Sequence, residues 1–538
     1  MKKGDLLIAI VSGLAAVTMA APVTAVGQLR VKWTFNTSAV FPGMTFGAGH
    51  QSPFTVWDID GDGLNEIIWG TRRGNSRREW CIKAKAPSSI SSQSLGHLLP
   101  DLSNGRLGWI YPPITQDPLP GDPICQPSLV DVNNDGRYEI CIAGRGGRLH
   151  VINPDGTTLW TWDNPVAGGT MVGAPQAYDV NGDGFVEFFM NDNAGYIHCV
   201  SHDGKLLWTS FKCGKANEGH PTISDIDRDG HYEVTWACQD FNLYCMDAET
   251  GTEKWRFNTG ANMENNANIV IDVNEDGEYE ALCWNSAGQV YAVSCLGKEV
   301  WRLDLPRVSN IRLRDPVGDV DGDGSLDIAI MSEDALYLYD IGGAAPVKRW
   351  EINLTKWSAE GRFGGAKALA TAWSSYHLIA DINGDGKQEI LWLVPFPMVT
   401  DAQGNLLAYY YNSNVQDGAR AENGGWWGDV DRDGISEWIV ELNGKSHPQT
   451  GVYCLTMDGK FPADSWWPEY THSAYPAAYQ AEQTWLEVKG AYSNSLWFPM
   501  DESLWSAFLF SWGILSLALG RRRHPDLPGA RSSKITEP

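Results

Sequence analysis

The chain has 538 residues and carries 66 Asp and Glu against 41 Lys and Arg, a net charge of −25. A surface this acidic repels polyanions, which argues against nucleic acid as a partner. Length alone admits either several domains or a single large barrel or propeller.

At the N-terminus Lys2 and Lys3 precede an apolar run from Leu6 to Ala21, and Val23-Thr24-Ala25 offers a small-residue cleavage site. This is the pattern of a secretory signal over residues 1–25, so the protein is expected to be exported. Its ten cysteines show no compact disulfide framework, and no CxxCH haem site, HExxH zinc site or adjacent cysteine pair occurs.

One nine-residue phrase, Asp-x-Asp/Asn-x-Asp-Gly-x-x-Glu/Asp, recurs eight times, starting at Asp58, Asp131, Asp179, Asp225, Asp272, Asp319, Asp381 and Asp429. Successive starts differ by 73, 48, 46, 47, 47, 62 and 48 residues. A unit of about 47 residues is the size of a four-stranded propeller blade, with insertions at about 70–122 and 351–375. Within the fourth unit, Pro221–Asp225, Tyr232–Cys238, Leu243–Asp247 and Lys254–Phe257 are short β-rich runs separated by turn residues. Tryptophan marks the fourth run at Trp109, Trp160, Trp208, Trp255, Trp301 and Trp350, with Ala408 in the seventh unit. The matching segment of the eighth unit, Lys460–Asp464, contains Pro462 and reads poorly as a strand. Arg30–Thr37 closely matches Thr252–Thr259 of the fourth unit but has no acidic loop before it. The expected fold is therefore an all-β, eight-bladed β-propeller over residues 29–465, its last blade completed by the N-terminal strand.

Oxygen donors at alternate positions, a glycine for a sharp turn and a terminal carboxylate suit a hard divalent cation. Read by position, the first, third, fifth and ninth residues offer side-chain oxygens and the seventh its carbonyl. The sets are Asp58, Asp60, Asp62, Leu64 and Glu66; Asp131, Asn133, Asp135, Arg137 and Glu139; Asp179, Asn181, Asp183, Phe185 and Glu187; Asp225, Asp227, Asp229, His231 and Glu233. The second half of the chain adds Asp272, Asn274, Asp276, Glu278 and Glu280; Asp319, Asp321, Asp323, Ser325 and Asp327; Asp381, Asn383, Asp385, Lys387 and Glu389; Asp429, Asp431, Asp433, Ile435 and Glu437. Eight bound dications would bring the net charge from −25 to −9. Loops with four carboxylates are expected to hold calcium more tightly than those with Asn at the third position.

These in-register copies resemble the FG-GAP or VCBS repeat family, which includes the propellers of integrin α-subunits. The resemblance spans roughly Val31 to Asp458 and implies about eight structural Ca²⁺ ions. The letters that name FG-GAP are degenerate here, so integrin function is not carried over. The turn and fourth run, as in Asp247–Trp255, are also similar to the tryptophan-docking repeat of pyrroloquinoline-quinone-type propellers, in which that motif locks neighbouring blades. The adjacent-cysteine ring of the quinone enzymes is missing, which leaves a likeness of architecture without the cofactor.

Ligand sites on propellers lie in loops at one mouth and in insertions. The first insertion is basic, with Arg72, Arg73, Arg77, Arg78, Lys83 and Lys85 against Glu79, and points to an anionic polysaccharide or another envelope polymer. Gln126, His220, Asn266, Arg314 and Tyr376 lie five or six residues before acidic loops and are expected near the channel. An aromatic-rich extension at 466–502 precedes an apolar run at 503–520 and a tail, 521–538, that opens with Arg521-Arg522-Arg523. The run reads as a transmembrane or sorting segment with its basic tail in the cytoplasm, similar to the tripartite tails of sorted surface proteins. The functional expectation is a membrane-anchored adhesion, glycan-binding or scaffold module at the cell surface or in the periplasm, with a surface protein as another possible partner. The alternative is a calcium-dependent polysaccharide lyase, because one rhamnogalacturonan lyase family is similar in using a calcium-rich eight-bladed propeller.

Overall fold

The computed structural model describes residues 27–35, 47–48, 54–72, 77–83, 106–113, 117–121, 126–171, 173–214, 219–263, 268–306, 317–332, 335–363, 377–383, 387–394, 396–410, 425–431, 435–442 and 451–457. They form an all-β, eight-bladed propeller of antiparallel blades, the first seven of which run in chain order from inner to outer strand. The fourth blade is typical, with strands Thr222–Ser224, Glu233–Ala237, Asn242–Asp247 and Glu253–Asn258. Its second strand is buried throughout, whereas the outer strand alternates between half-buried and exposed residues. Such alternation is what a sheet wetted on one face produces. Each acidic loop joins the first strand of its blade to the second.

The N-terminal strand Gly27–Phe35 lies antiparallel to Gly451–Met457 and supplies the outer strand of the eighth blade. At its start, Gly27 and Gln28 pair in parallel with Ala408 and Tyr409 of the seventh blade. Trp33 and Phe35 are buried with Trp69, Trp80, Trp426 and Ile439 in a core shared by the first and last blades. Trp69 Nε1 also donates to Glu441 Oε2 across that junction at 3.1 Å. Ring closure thus rests on packing as well as on strand pairing.

Two sets of contacts tie neighbouring blades. Toward the channel, Thr55 Oγ1 donates to the Pro127 carbonyl at 2.7 Å and Thr222 Oγ1 to that of Asn268 at 2.7 Å. Farther out, the indole nitrogens of Trp109, Trp208 and Trp350 donate to the carbonyls of Pro154, Ala248 and Ala402 on the next blade, at 2.9, 3.0 and 2.8 Å. A Cβ on Gly156, Gly251 or Gly404 would stand 2.9, 2.7 or 3.1 Å from the same indoles. The turn glycine is therefore required by the tryptophan docked against it.

Much of the expected first insertion belongs to the blade: Arg78–Lys83 and Arg106–Tyr111 are its third and outer strands. Within the second insertion, helix Leu354–Ala359 is capped by Asn353, whose side chain accepts the Lys356 amide. Among the described residues no helix is long and apolar enough to cross a membrane. The expected signal segment, aromatic extension, apolar run and basic tail lie outside the described residues.

Removing residues 27–35 is expected to leave Gly451–Met457 as an open edge and to cause self-association, measured by light scattering. Phe35→Ala should cost about 3–5 kcal/mol in denaturant unfolding. A truncated protein that stays monomeric and equally stable would contradict this closure.

Candidate metal centres in the acidic loops

Each loop is shaped by its own carboxylates. The sixth-position glycine is left-handed, with φ of 86° at Gly63, 83° at Gly136, 88° at Gly184, 87° at Gly230, 92° at Gly277 and 89° at Gly324. Its amide donates to the first-position aspartate, as from Gly63 to Asp58 Oδ2 at 2.8 Å and from Gly230 to Asp225 Oδ2 at 3.0 Å. The seventh-position amide donates to the fifth-position aspartate, as from Leu64 to Asp62 at 2.9 Å and from Phe185 to Asp183 at 2.8 Å. These bonds curl the chain so that carboxylates at alternate positions converge.

The ninth-position carboxylate does the same thing in all eight blades. One of its oxygens accepts the amide of the second loop residue: Ile59, Val132, Val180, Ile226, Val273, Val320, Ile382 and Val430 donate to Glu66, Glu139, Glu187, Glu233, Glu280, Asp327, Glu389 and Glu437 at 2.9–3.2 Å. Each of these acids is no more than 3% exposed. Burial pushes Glu66, Glu139, Glu187, Glu233, Glu280 and Asp327 up to about 7, and Glu437 to about 8, and neighbouring aspartates contribute to the rise. The other oxygen faces the rest of the loop. In three blades it receives an amide from the third position, with Asn133, Asn181 and Asn383 Nδ2 at 3.4, 3.1 and 2.9 Å.

Loops with aspartate at the third position instead meet a cation from the outer half of the blade. Lys254 Nζ stands 2.8 Å from Asp227 and 2.7 Å from Glu233, and Lys32 Nζ 3.0 Å from Asp431 and 2.7 Å from Glu437. Lys83 Nζ is 2.7 Å from both Asp60 and Asp62. Arg349 pairs with Asp323 and lies 3.7 Å from Asp321. Sequence reading missed these four roles, although Lys32, Lys254 and Arg349 each stand directly before an outer-strand tryptophan position.

The donor set suits a hard dication. Asp58, Asp60 and Asp62, like Asp225, Asp227 and Asp229, bring carboxylate oxygens within 4.8 Å of one another, as do Asp319, Asp321 and Asp327, and Asp429, Asp431 and Glu437. Glu66 Oε1 and Asp327 Oδ1 are buried and accept no hydrogen bond, their cationic neighbours standing at 3.2 and 3.7 Å. A carboxylate oxygen buried in that state favours a coordinated ion. Asp385 and Asp433 lie outside the described residues; the other loop residues named from the sequence lie within them.

The expected ligand-binding residues fare differently. Arg78 is buried, its guanidinium donating to the Pro113 carbonyl at 3.0 Å, and Arg77 donates to that of Pro120 at 3.0 Å. Lys83, grouped with them by sequence, serves the first acidic loop. Gln126 is buried and donates to the Phe54 carbonyl of the preceding blade at 3.2 Å, and buried His220 accepts the Ala174 amide through Nδ1. Both tie blades together. Arg73, Asn266, Arg314, Tyr376 and the side chain of Arg72 lie outside the described residues.

A family model described as outer membrane protein assembly factor BamB matches residues 145–360. That stretch is similar to PQQ-like propeller repeats. BamB from Moraxella catarrhalis is 11% identical, with 80% of this chain and 99% of that chain covered and a TM-score of 0.47. The Vibrio cholerae biofilm matrix protein Bap1 is 13% identical, covering 84% and 94% with a TM-score of 0.41, and Saccharomyces cerevisiae Sqt1 is 11% identical, covering 80% and 99% with a TM-score of 0.48. No curated protein matches the chain in sequence. The match to residues 145–360 covers four of the acidic loops and the Trp208 lock.

The raised carboxyls set a pH dependence for metal-free protein. A carboxyl whose folded pKa exceeds its ordinary 4.5 binds its proton more tightly when folded. The resulting penalty is absent below 4.5, grows through the window up to about 7 and is complete above it. Melting midpoints in chelator should therefore fall as pH rises from about 4.5 to about 7. Midpoints that rise over this window would contradict the assignment.

Proposed function

We propose that this protein is an exported, calcium-stabilised β-propeller that acts as a non-enzymatic scaffold for a macromolecular partner at the cell envelope. The carrying observation is the buried ninth-position carboxylate, repeated in eight blades, together with the carboxylates that converge in the first, fourth, sixth and eighth loops. An ion bound there offsets carboxylate repulsion at the junction of the first two strands. The binding stabilises only the folded ring, and each site filled at a hundred times its Kd adds about 2.7 kcal/mol.

The scaffold reading is supported by how the polar groups near the channel are used. Gln126 and His220 hold adjacent blades, which leaves the loops and insertions as the variable surface. The signal-like N-terminus and the match to a family named for outer membrane protein assembly support an envelope setting. An anionic polymer remains the partner favoured by the basic segment around Arg72, Arg73 and Arg77, whereas Arg78 is committed to the interior.

Melting curves of the full chain in calcium and in chelator should differ by more than about ten degrees, the combined effect of several sites. Superimposable curves would overturn the metal reading. Replacing Arg72, Arg73 and Arg77 with serine should abolish retention on an acidic polysaccharide column while leaving that calcium response unchanged. Undiminished retention would move the binding surface elsewhere on the ring.

A further inference from the structure

All eight outer strands are bulged at the same place. In the fourth blade Cys245 pairs with Trp255 and Met246 with Glu253, so Lys254 is the extra residue. The same register shift makes Arg349 the bulge residue of the sixth blade and Lys32 that of the eighth. These three blades have aspartate at the third loop position. In the second, third, fifth and seventh blades the bulge residue is aliphatic, Leu159, Leu207, Val300 and Leu407. Those four have asparagine at the third loop position.

The first blade shows the rule by its exception. Its loop has Asp60, yet its bulge residue is Gly108, where a Cβ would stand 2.9 Å from Cys81 Sγ. The cation comes instead from Lys83, paired with Glu66 on the neighbouring strand. Counting only the first-, third-, fifth- and ninth-position carboxylates together with this cation, every one of the eight donor sets sums to −3.

We infer that the outer-strand bulge residue, or Lys83 in the first blade, sets the charge of its blade's donor set, matching all eight so that they take divalent cations over one concentration range. This inference rests on the calcium reading for its consequence, but the pairing itself does not. It replaces the expectation that four-carboxylate loops bind more tightly: their extra carboxylate is neutralised within the blade. A cation held against the third and ninth positions also keeps a metal-free loop from the repulsion a fourth carboxylate would add. In three of the asparagine loops the amide makes that contact without charge, Asn274 of the fifth blade donating to Asp276 instead, and an aliphatic bulge residue leaves the balance unaltered.

The test uses the full chain in two arms. In chelator, Lys254→Leu should lower the melting midpoint by roughly 1–3 °C, and in the Asp227→Asn background the same change should cost nothing. In the third blade Asn181→Asp should be destabilising and Asn181→Asp with Leu207→Lys should return to parental stability. Leu207 is 51% exposed, so lysine fits there without losing a packed side chain. Equal costs for Lys254→Leu in both backgrounds would overturn the pairing, whether or not calcium binds. In the second arm, calcium titration of the parent should fill eight sites as one class, and Lys254→Leu should shift one site to roughly tenfold tighter binding. Two classes of four, or saturation at four ions with the lysine and arginine blades left out, would overturn the matching. Absence of any calcium binding would refute the metal reading while the chelator arm still decides the pairing.

Discussion

The structure depends on one contact made eight times, a buried carboxylate accepting the amide at the start of its own loop. It joins the first two strands of each blade at the point where the chain reverses. Burying a charge is costly unless it is compensated, and here one oxygen is compensated by the backbone while the other is left to the loop. That second oxygen explains the remaining chemistry: the converging aspartates, the asparagine amides and the cations brought from the outer strand are alternative answers to the same demand. A divalent ion is the answer we propose for all eight loops.

The ring is held together by contacts of another kind. Outer-strand tryptophans dock on turn glycines of the next blade, inner hydroxyls bond across to neighbouring carbonyls, and aromatic packing seals the first blade against the last. These combine apolar packing with hydrogen bonds to backbone carbonyls and do not involve the acidic loops' carboxylates, so they secure the order of blades without specifying the loops. Loop chemistry and blade packing are thus separable, and the one is free to respond to solution conditions while the other preserves the architecture.

Much of this was legible in the sequence because repetition makes weak signals additive. The 47-residue spacing, the tryptophans and the likeness of Arg30–Thr37 to Thr252–Thr259 together placed the blades and the closing strand, and the acidic phrase placed every loop. Partnerships across long separations were not legible. Lys32 reaches Asp431 and Glu437 from 399 and 405 residues away, and in the first blade the cation comes from Lys83 on the third strand because the bulge residue is Gly108, which has no side chain to offer. The arginine-rich segment read as one basic surface, whereas strand alternation turns Arg78 inward and Lys83 toward the acidic loop. Side-chain period within a strand decides such cases, and the strand Arg78–Lys83 was hidden inside an apparent insertion.

On the proposed calcium reading, the loops would be filled in a calcium-rich environment and the ring would present a firm surface to a partner. The number of ions bound tests that account most directly. Equilibrium dialysis of the purified full chain against calcium, with metal content measured by atomic emission, should give about eight ions per chain, in accord with the eight loops. A chain that retains no calcium would contradict it.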